Sequence, residues 1–153
     1  MIPFRNQPSG PRLPEGYALL ESPQPQPDAL NRLLNLMGDS SRSPERWARV
    51  LERSLWHLAV VNQEERWVGF IRATSDLALN ANLWDLSTDP ADSNRSAVLL
   101  SLVHGALSRL RRELGGCSIS LSAPPEAIAA LQRHGFLVDP GGIRAMGLKL
   151  NRS

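Results

Sequence analysis

A chain of 153 residues with 42% hydrophobic side chains has the size and apolar content of one domain built around a packed core. Seventeen basic side chains, sixteen of them arginine, against fifteen acidic ones leave a net charge of +2, and no basic run points to nucleic acid. The apolar stretches are too short to span a bilayer, residues 1–12 lack the apolar run of a signal peptide, and a single cysteine, Cys117, excludes an internal disulfide and a cysteine-based metal cluster, so a soluble cytoplasmic protein without metal is expected.

Residues 1–15 carry four prolines and read as a flexible tail ahead of a domain over 16–151. Tyr17 to Glu21 predicts a first strand. After the Pro-Gln repeat, Leu30, Leu33, Leu34 and Met37 recur at helical spacing until Gly38. Ser43 followed by Pro44 and Glu45 opens a second helix, with Trp47, Val50 and Leu51 on one face. Leu55 to Val61 and Trp67 to Thr74 flank the polar turn 62–65 as an antiparallel hairpin, and Leu83 to Leu86 continues the sheet. The longest helix runs from Ser93 to Leu114, because Leu99, Leu102, Val103, Ala106, Leu107 and Leu110 return every three or four positions. Gly115 and Gly116 end it. Cys117 to Leu121 is the next strand, Pro124 to Gly135 holds a further helix, and Ile143 to Leu150 is read as the last strand.

Three segments give this order a family likeness. They are SRSPERWARVLERSLWHLAV at 41–60 with WVGFIRATSD at 67–76, DLSTDPADSNRSAVLLSL at 85–102, and LQRHGF at 131–136. In order and spacing the chain resembles the GNAT acetyltransferases. The resemblance implies an α/β (α+β) fold, a mixed central sheet of six to seven strands flanked by about four helices. It also implies acetyl-CoA as co-substrate, with the pyrophosphate on the N–H groups that open the long helix, where unpaired donors and the helix dipole attract phosphate.

That cradle falls on Ser93, Asn94, Arg95, Ser96, Ala97 and Val98, with Leu86 and Thr88 on the strand leading to it. Ser96 and Val98 stand where the family has small residues, so the sequence predicts that their side chains crowd the phosphates, while Arg95 adds a positive charge. Leu131 stands where many members carry a tyrosine that protonates the leaving thiolate, and the lone tyrosine, Tyr17, lies on the first predicted strand. A carboxylate near the diverging strands would take the proton of an ammonium acceptor; Asp76 and Asp85 are the candidates, with Arg72 as a holder of a substrate carboxylate. Against these stand plain structural roles: turn carboxylates hydrogen-bonded to backbone for Asp76 and Asp85, and an exposed strand arginine for Arg72. His57, within an apolar strand, reads as a half-buried histidine with one hydrogen bond. At most one of the four tryptophans is assigned to an acceptor pocket.

Two functions follow from the resemblance: an acetyl-CoA-dependent N-acetyltransferase that acts by direct attack on an amine of a small molecule or peptide, or a non-catalytic GNAT-like binding module. Either is compatible with a homodimer formed through the terminal strand near Ile143 to Leu150.

Overall fold

The computed structural model describes residues 10–151. Five strands, β1 (Ala18–Glu21), β2 (Trp56–Val61), β3 (Trp67–Ser75), β4 (Asn80–Thr88) and β5 (Ser118–Leu121), form one sheet in chain order. Neighbours are antiparallel as far as β4, and β4 pairs in parallel with β5. The helices are α1 (Pro27–Leu36), α2 (Pro44–Glu52), α3 (Arg95–Glu113) and α4 (Ile128–Arg133), the last preceded by a 3₁₀ turn at Pro125–Ala127. The α/β architecture with about four helices stands as expected.

Local chemistry explains the helix ends. Ser43 accepts a hydrogen bond from the Arg46 N–H and Pro44 occupies the first turn of α2, while Pro27 and Asp28 open α1. Gly38, at φ 87°, follows the α1 C-cap, a backbone shape open to glycine at little cost. The sheet is covered on both faces, which is why β2 and the first half of β3 read as continuous apolar runs. One core joins Leu58, Val60, Val68, Ile71 and Leu83 to Val98, Leu102 and Leu110 of α3 and Leu131 of α4. The other packs Leu30, Leu33, Leu34 and Trp47 of α1 and α2 against Ala59, Trp67 and Phe70.

Gly69 lets α3 approach the sheet closely. A Cβ there would lie 2.6 Å from Val98 Cγ1 and 2.9 Å from Leu102 Cδ1.

Two expectations change. The terminal strand over Ile143 to Leu150 is absent: residues 143–150 have no ladder partner among the described residues, so the sheet has five strands, not six to seven. Alternation of apolar side chains signals a strand, but a ladder needs a neighbouring edge, which a local pattern does not encode. β4 is also longer than the span 83–86, because its polar residues Asn80 and Asn82 hid its start. Of the expected tail, residues 1–9 lie outside the described residues; Leu13 packs against the main core and Gly10 meets the His104 ring.

Candidate active site

The distinctive feature of the sheet is a bulge in β4. Arg72 pairs with Trp84 and Phe70 with Ser87, so the single β3 residue between them, Ile71, faces two β4 residues, Asp85 and Leu86. The extra residue adopts φ 58° at Asp85, a left-handed conformation that aspartate tolerates better than most residues. A bulge bends its strand. Pairing of β4 with β5 ends at Leu83 and Leu121, just before the bulge, and β4 continues alone on that side to Thr88. β5 ends where its pairing ends, so the second half of β4, with the bulge, has no strand on that side and borders an open cleft that leads to the loop before α3.

Asp85 does not face this cleft as an unengaged carboxylate. Arg42, from the α1–α2 connector, donates to it through both terminal nitrogens at 2.9 Å, and Arg72 Nε donates at 2.7 Å. Burial pushes the Asp85 carboxyl up, but the hydrogen bonds from Arg42 and Arg72 outweigh it and leave the group below the ordinary carboxylate range. A base needs proton affinity, and three charge-assisted hydrogen bonds remove it; Asp85 locks the bulge. Asp76 sits in the exposed β3–β4 turn, where its Oδ1 accepts from the N–H groups of Ala78, Leu79 and Asn80. Those backbone donors, Asn80 foremost, hold its carboxyl down to about 2. It caps the hairpin. Arg72, placed by sequence on a substrate carboxylate, spends its Nε on Asp85 and sets its guanidinium 5.6 Å from the Trp84 ring centre.

At the end of β4, the loop 89–94 turns the chain into α3. Asp89 is buried, paired with Arg32, and accepts from the Ala91 N–H at 2.9 Å. Asp92 accepts from the Asn94 N–H at 2.9 Å and from the Tyr17 hydroxyl at 2.8 and 2.9 Å. The lone tyrosine thus braces this loop from beside β1. Ser93 and Ser96 are exposed, Asn94 and Ala97 half-buried, and among the described residues no acceptor engages the Ser96 and Ala97 N–H groups.

The expected crowding by Val98 does not occur. Its side chain is fully buried against Gly69, because its position on α3 faces the sheet and not the mouth. Leu86 likewise buries its side chain in the main core and offers only backbone to the cleft. Arg95 reaches across the opening: its Nε donates to Thr88 Oγ1 at 2.8 Å and its Nη2 to Glu126 Oε1 at 3.0 Å, with Met37 Sδ 3.8 Å away. This pair is about a third exposed, a solvent-facing tie between the end of β4 and the turn after β5.

No family model matches the sequence. An N-acetyltransferase of Porphyra purpurea, named as uncharacterized, is 30% identical over 121 residues, which cover 76% of this chain and 68% of that protein. The chain belongs to the GNAT N-acetyltransferases. A chloroplastic GCN5-related N-acetyltransferase 2 of Arabidopsis thaliana is 38% identical over 87 residues, 55% of this chain. The chain spans only about a third of the length of the Arabidopsis and Glycine max relatives it matches. Among solved structures, a probable acetyltransferase from Staphylococcus aureus superposes with TM-score 0.75 at 16% identity, over 88% of this chain and 99% of that one. The GNAT protein YhbS of Escherichia coli, in complex with CoA, gives TM-score 0.61 at 16% identity over 82% of this chain and 71% of that one.

Within this GNAT fold, three of the four tryptophans, Trp47, Trp56 and Trp67, are core residues, and only Trp84 is open, at 43% exposure. His57, on β2 and buried more deeply than expected, donates through Nε2 to the Pro23 carbonyl oxygen at 2.8 Å, the single hydrogen bond of its structural reading. Leu131 is buried in the core, and Cys117 is half-buried ahead of β5. Sequence reasoning missed Arg42, Glu126 and the bracing role of Tyr17. Their partners lie 43, 31 and 75 residues away, so no local spacing could reveal them.

Proposed function

We propose that this GNAT domain transfers an acetyl group from acetyl-CoA to an amine of a small molecule or peptide, by direct attack in a ternary complex. The observation that carries the proposal is the bulge at Asp85, beyond the last β4–β5 pair, on a strand that runs through one loop into a helix start whose Ser96 and Ala97 N–H groups meet no acceptor among the described residues.

The residues present suit the cofactor. Val98 and Leu86 turn inward, no acidic residue lies between Ser93 and Val98, and Arg95 supplies a cation at the mouth. The first turn of α3 would hold the diphosphate through backbone donors and the positive helix end, with Ser93 and Ser96 hydroxyls as further donors. Acetyl-CoA supplies the activated thioester. Arg42 and Arg72 hold the bulged backbone of β4 in place through Asp85, which keeps the cleft open without a change of shape during the reaction. The acceptor enters on the face that carries Trp84 and the Met37–Ser41 connector. Its ammonium proton passes to water, since Asp76 and Asp85 are both committed to strong donors, and the departing thiolate is protonated from solvent because Leu131 carries no acid.

The test is a thermal shift and calorimetric titration with acetyl-CoA, followed by thiol release with a panel of amines. A ligand at about 100 times its dissociation constant adds roughly 2.7 kcal/mol to a native state that alone binds it. Absence of any shift at millimolar acetyl-CoA overturns the proposal and leaves a binding module. A shift without thiol release for any amine overturns catalysis alone.

A further inference from the structure

Residues 10–16 precede β1 and belong to no helix or strand. Among the described residues no hydrogen bond ties them to the body, and the one backbone bond in the stretch closes a turn, from Tyr17 N–H to Pro14 O at 3.1 Å with Gly16 at φ 84°. Packing alone holds them, with Tyr17 as the polar anchor at their end. Gly10 lies so close to the His104 ring of α3 that a Cβ there would meet Nε2 at 2.8 Å, Leu13 rests against the main core, and Tyr17 reaches Asp92 and Asn94 just before α3. A segment held in this way opens locally at small cost.

The helix beneath records its path. At about 100° per residue, Asn94, Ala97, Ser101, His104 and Ser108 fall on the side of α3 away from the stripe of Val98, Leu102, Ala106 and Leu110 that meets the sheet. Gly10 at His104 and Tyr17 at Asn94 mark the two ends of the segment, so the chain between them crosses Ala97 and Ser101. Ser101 is accordingly only 5% exposed although it faces away from the sheet, while Ser108, past the Gly10 contact on the same face, is exposed. The covered Ser101 hydroxyl has no hydrogen-bond partner among the described residues. A buried orphan hydroxyl favours the arrangement that lets water reach it, which here is the one with the segment lifted.

We infer that residues 10–17 are a clasp that docks and lifts as a unit on the outer face of α3, and that the docked clasp keeps the loop 89–94 ordered through Tyr17 and Asp92. The Asp92 carboxylate accepts from the Tyr17 hydroxyl and from the Asn94 N–H, and its carbonyl accepts from the Arg95 N–H, so one residue joins clasp to helix start. Ser101 sets the balance, since its unmet hydroxyl works against docking. The link to acetyl-CoA rests on the function proposed above, whereas the link to the loop does not. By reciprocity, any affinity for acetyl-CoA that the docked clasp confers returns as resistance of the clasp to lifting.

Arg12 is exposed within the clasp, so trypsin cleavage between Arg12 and Leu13 of the full chain, followed by mass spectrometry, measures the lifted form. Ser101→Ala removes the orphan and is expected to slow this cut about tenfold. Leu13→Ala removes the apolar anchor and is expected to speed it about tenfold, with an unchanged far-UV circular dichroism spectrum and faster hydrogen exchange at the Asn94 and Arg95 amides. Saturating acetyl-CoA is expected to slow the cut several-fold in the parent. A rate unmoved by Ser101→Ala puts that hydroxyl under another element and overturns the clasp. Loop amides that exchange in Leu13→Ala as they do in the parent overturn its coupling to the loop, and acetyl-CoA that raises the melting temperature without slowing the cut overturns its coupling to the cofactor. With no melting shift at all, the proposed function fails by itself, and the two variants still decide the clasp.

Discussion

Val98 Cγ1 rests where a side chain on Gly69 would begin, only 2.6 Å from the position of that missing Cβ. This contact seats the first turn of α3 on β3, and it converts a residue that reads as an obstacle to phosphate into part of the core. Val98→Gly removes a fully buried side chain and adds a helix-weakening glycine, so unfolding in urea should show a loss of about 2–4 kcal/mol. Gly69→Ala should also destabilise, by overlap instead of by cavity. Acetyl-CoA affinity of the folded Val98→Gly protein should stay near that of the parent; a marked gain would return the valine to the phosphate path.

Arg95 has two calls on its charge. With Glu126 at 3.0 Å, the ion pair must loosen before the guanidinium serves a diphosphate. Glu126→Gln should tighten acetyl-CoA by up to about fivefold, the upper worth of a partly exposed pair, and Arg95→Ala should weaken it by about tenfold. Calorimetry on the two variants checks both. An unchanged constant for Arg95→Ala removes that side chain from the cofactor site.

The two carboxylates proposed from sequence should part company. Asp76→Asn should leave turnover intact, whereas Asp85→Asn strands two arginines at the bulge and should cost about 3 kcal/mol of stability together with most of the acetyl transfer. The pH dependence follows in sign. The folded-state value of Asp85 is depressed, so its contribution is complete above the ordinary carboxylate value near about 4 and is lost as pH falls through the lower, folded-state value. Acid titrations of stability should therefore be flatter in Asp85→Asn than in the parent.

Tyr17→Phe isolates the brace under the loop. Burial and the Asp92 carboxylate outweigh the opposing hydrogen bond from Asn94, which alone would lower the phenol, and the net effect raises it, so the hydroxyl stays protonated and donating through neutral pH. Its loss should cost about 1 kcal/mol of stability and weaken acetyl-CoA binding several-fold. Equal affinity in the two proteins would confine the contact to folding.

Much of this was legible in the residues, for reasons that differ by element. α3 announces itself through periodicity, α2 through Ser43 and Pro44, and the loop 89–94 through its place between a strand and a long helix. The orientation of Val98 was not legible, because whether a helix-start side chain faces phosphate or sheet depends on Gly69, 29 residues earlier. Nor was the bulge: Asp85 lies in an ordinary-looking polar end of a strand, and its left-handed backbone is held by Arg42 and Arg72 from two other elements. Residues 143–150 show the opposite failure, a strand pattern with no ladder partner among the described residues.

The double grip on Asp85 has a mechanical meaning. One arginine belongs to the connector of the helical pair and the other to the strand next to the bulge, while Met37, from the same connector, touches Arg95 at the opposite rim. The helical pair and the bulged strand are therefore fastened to each other through a single carboxylate, so any change that frees the connector also loosens β4.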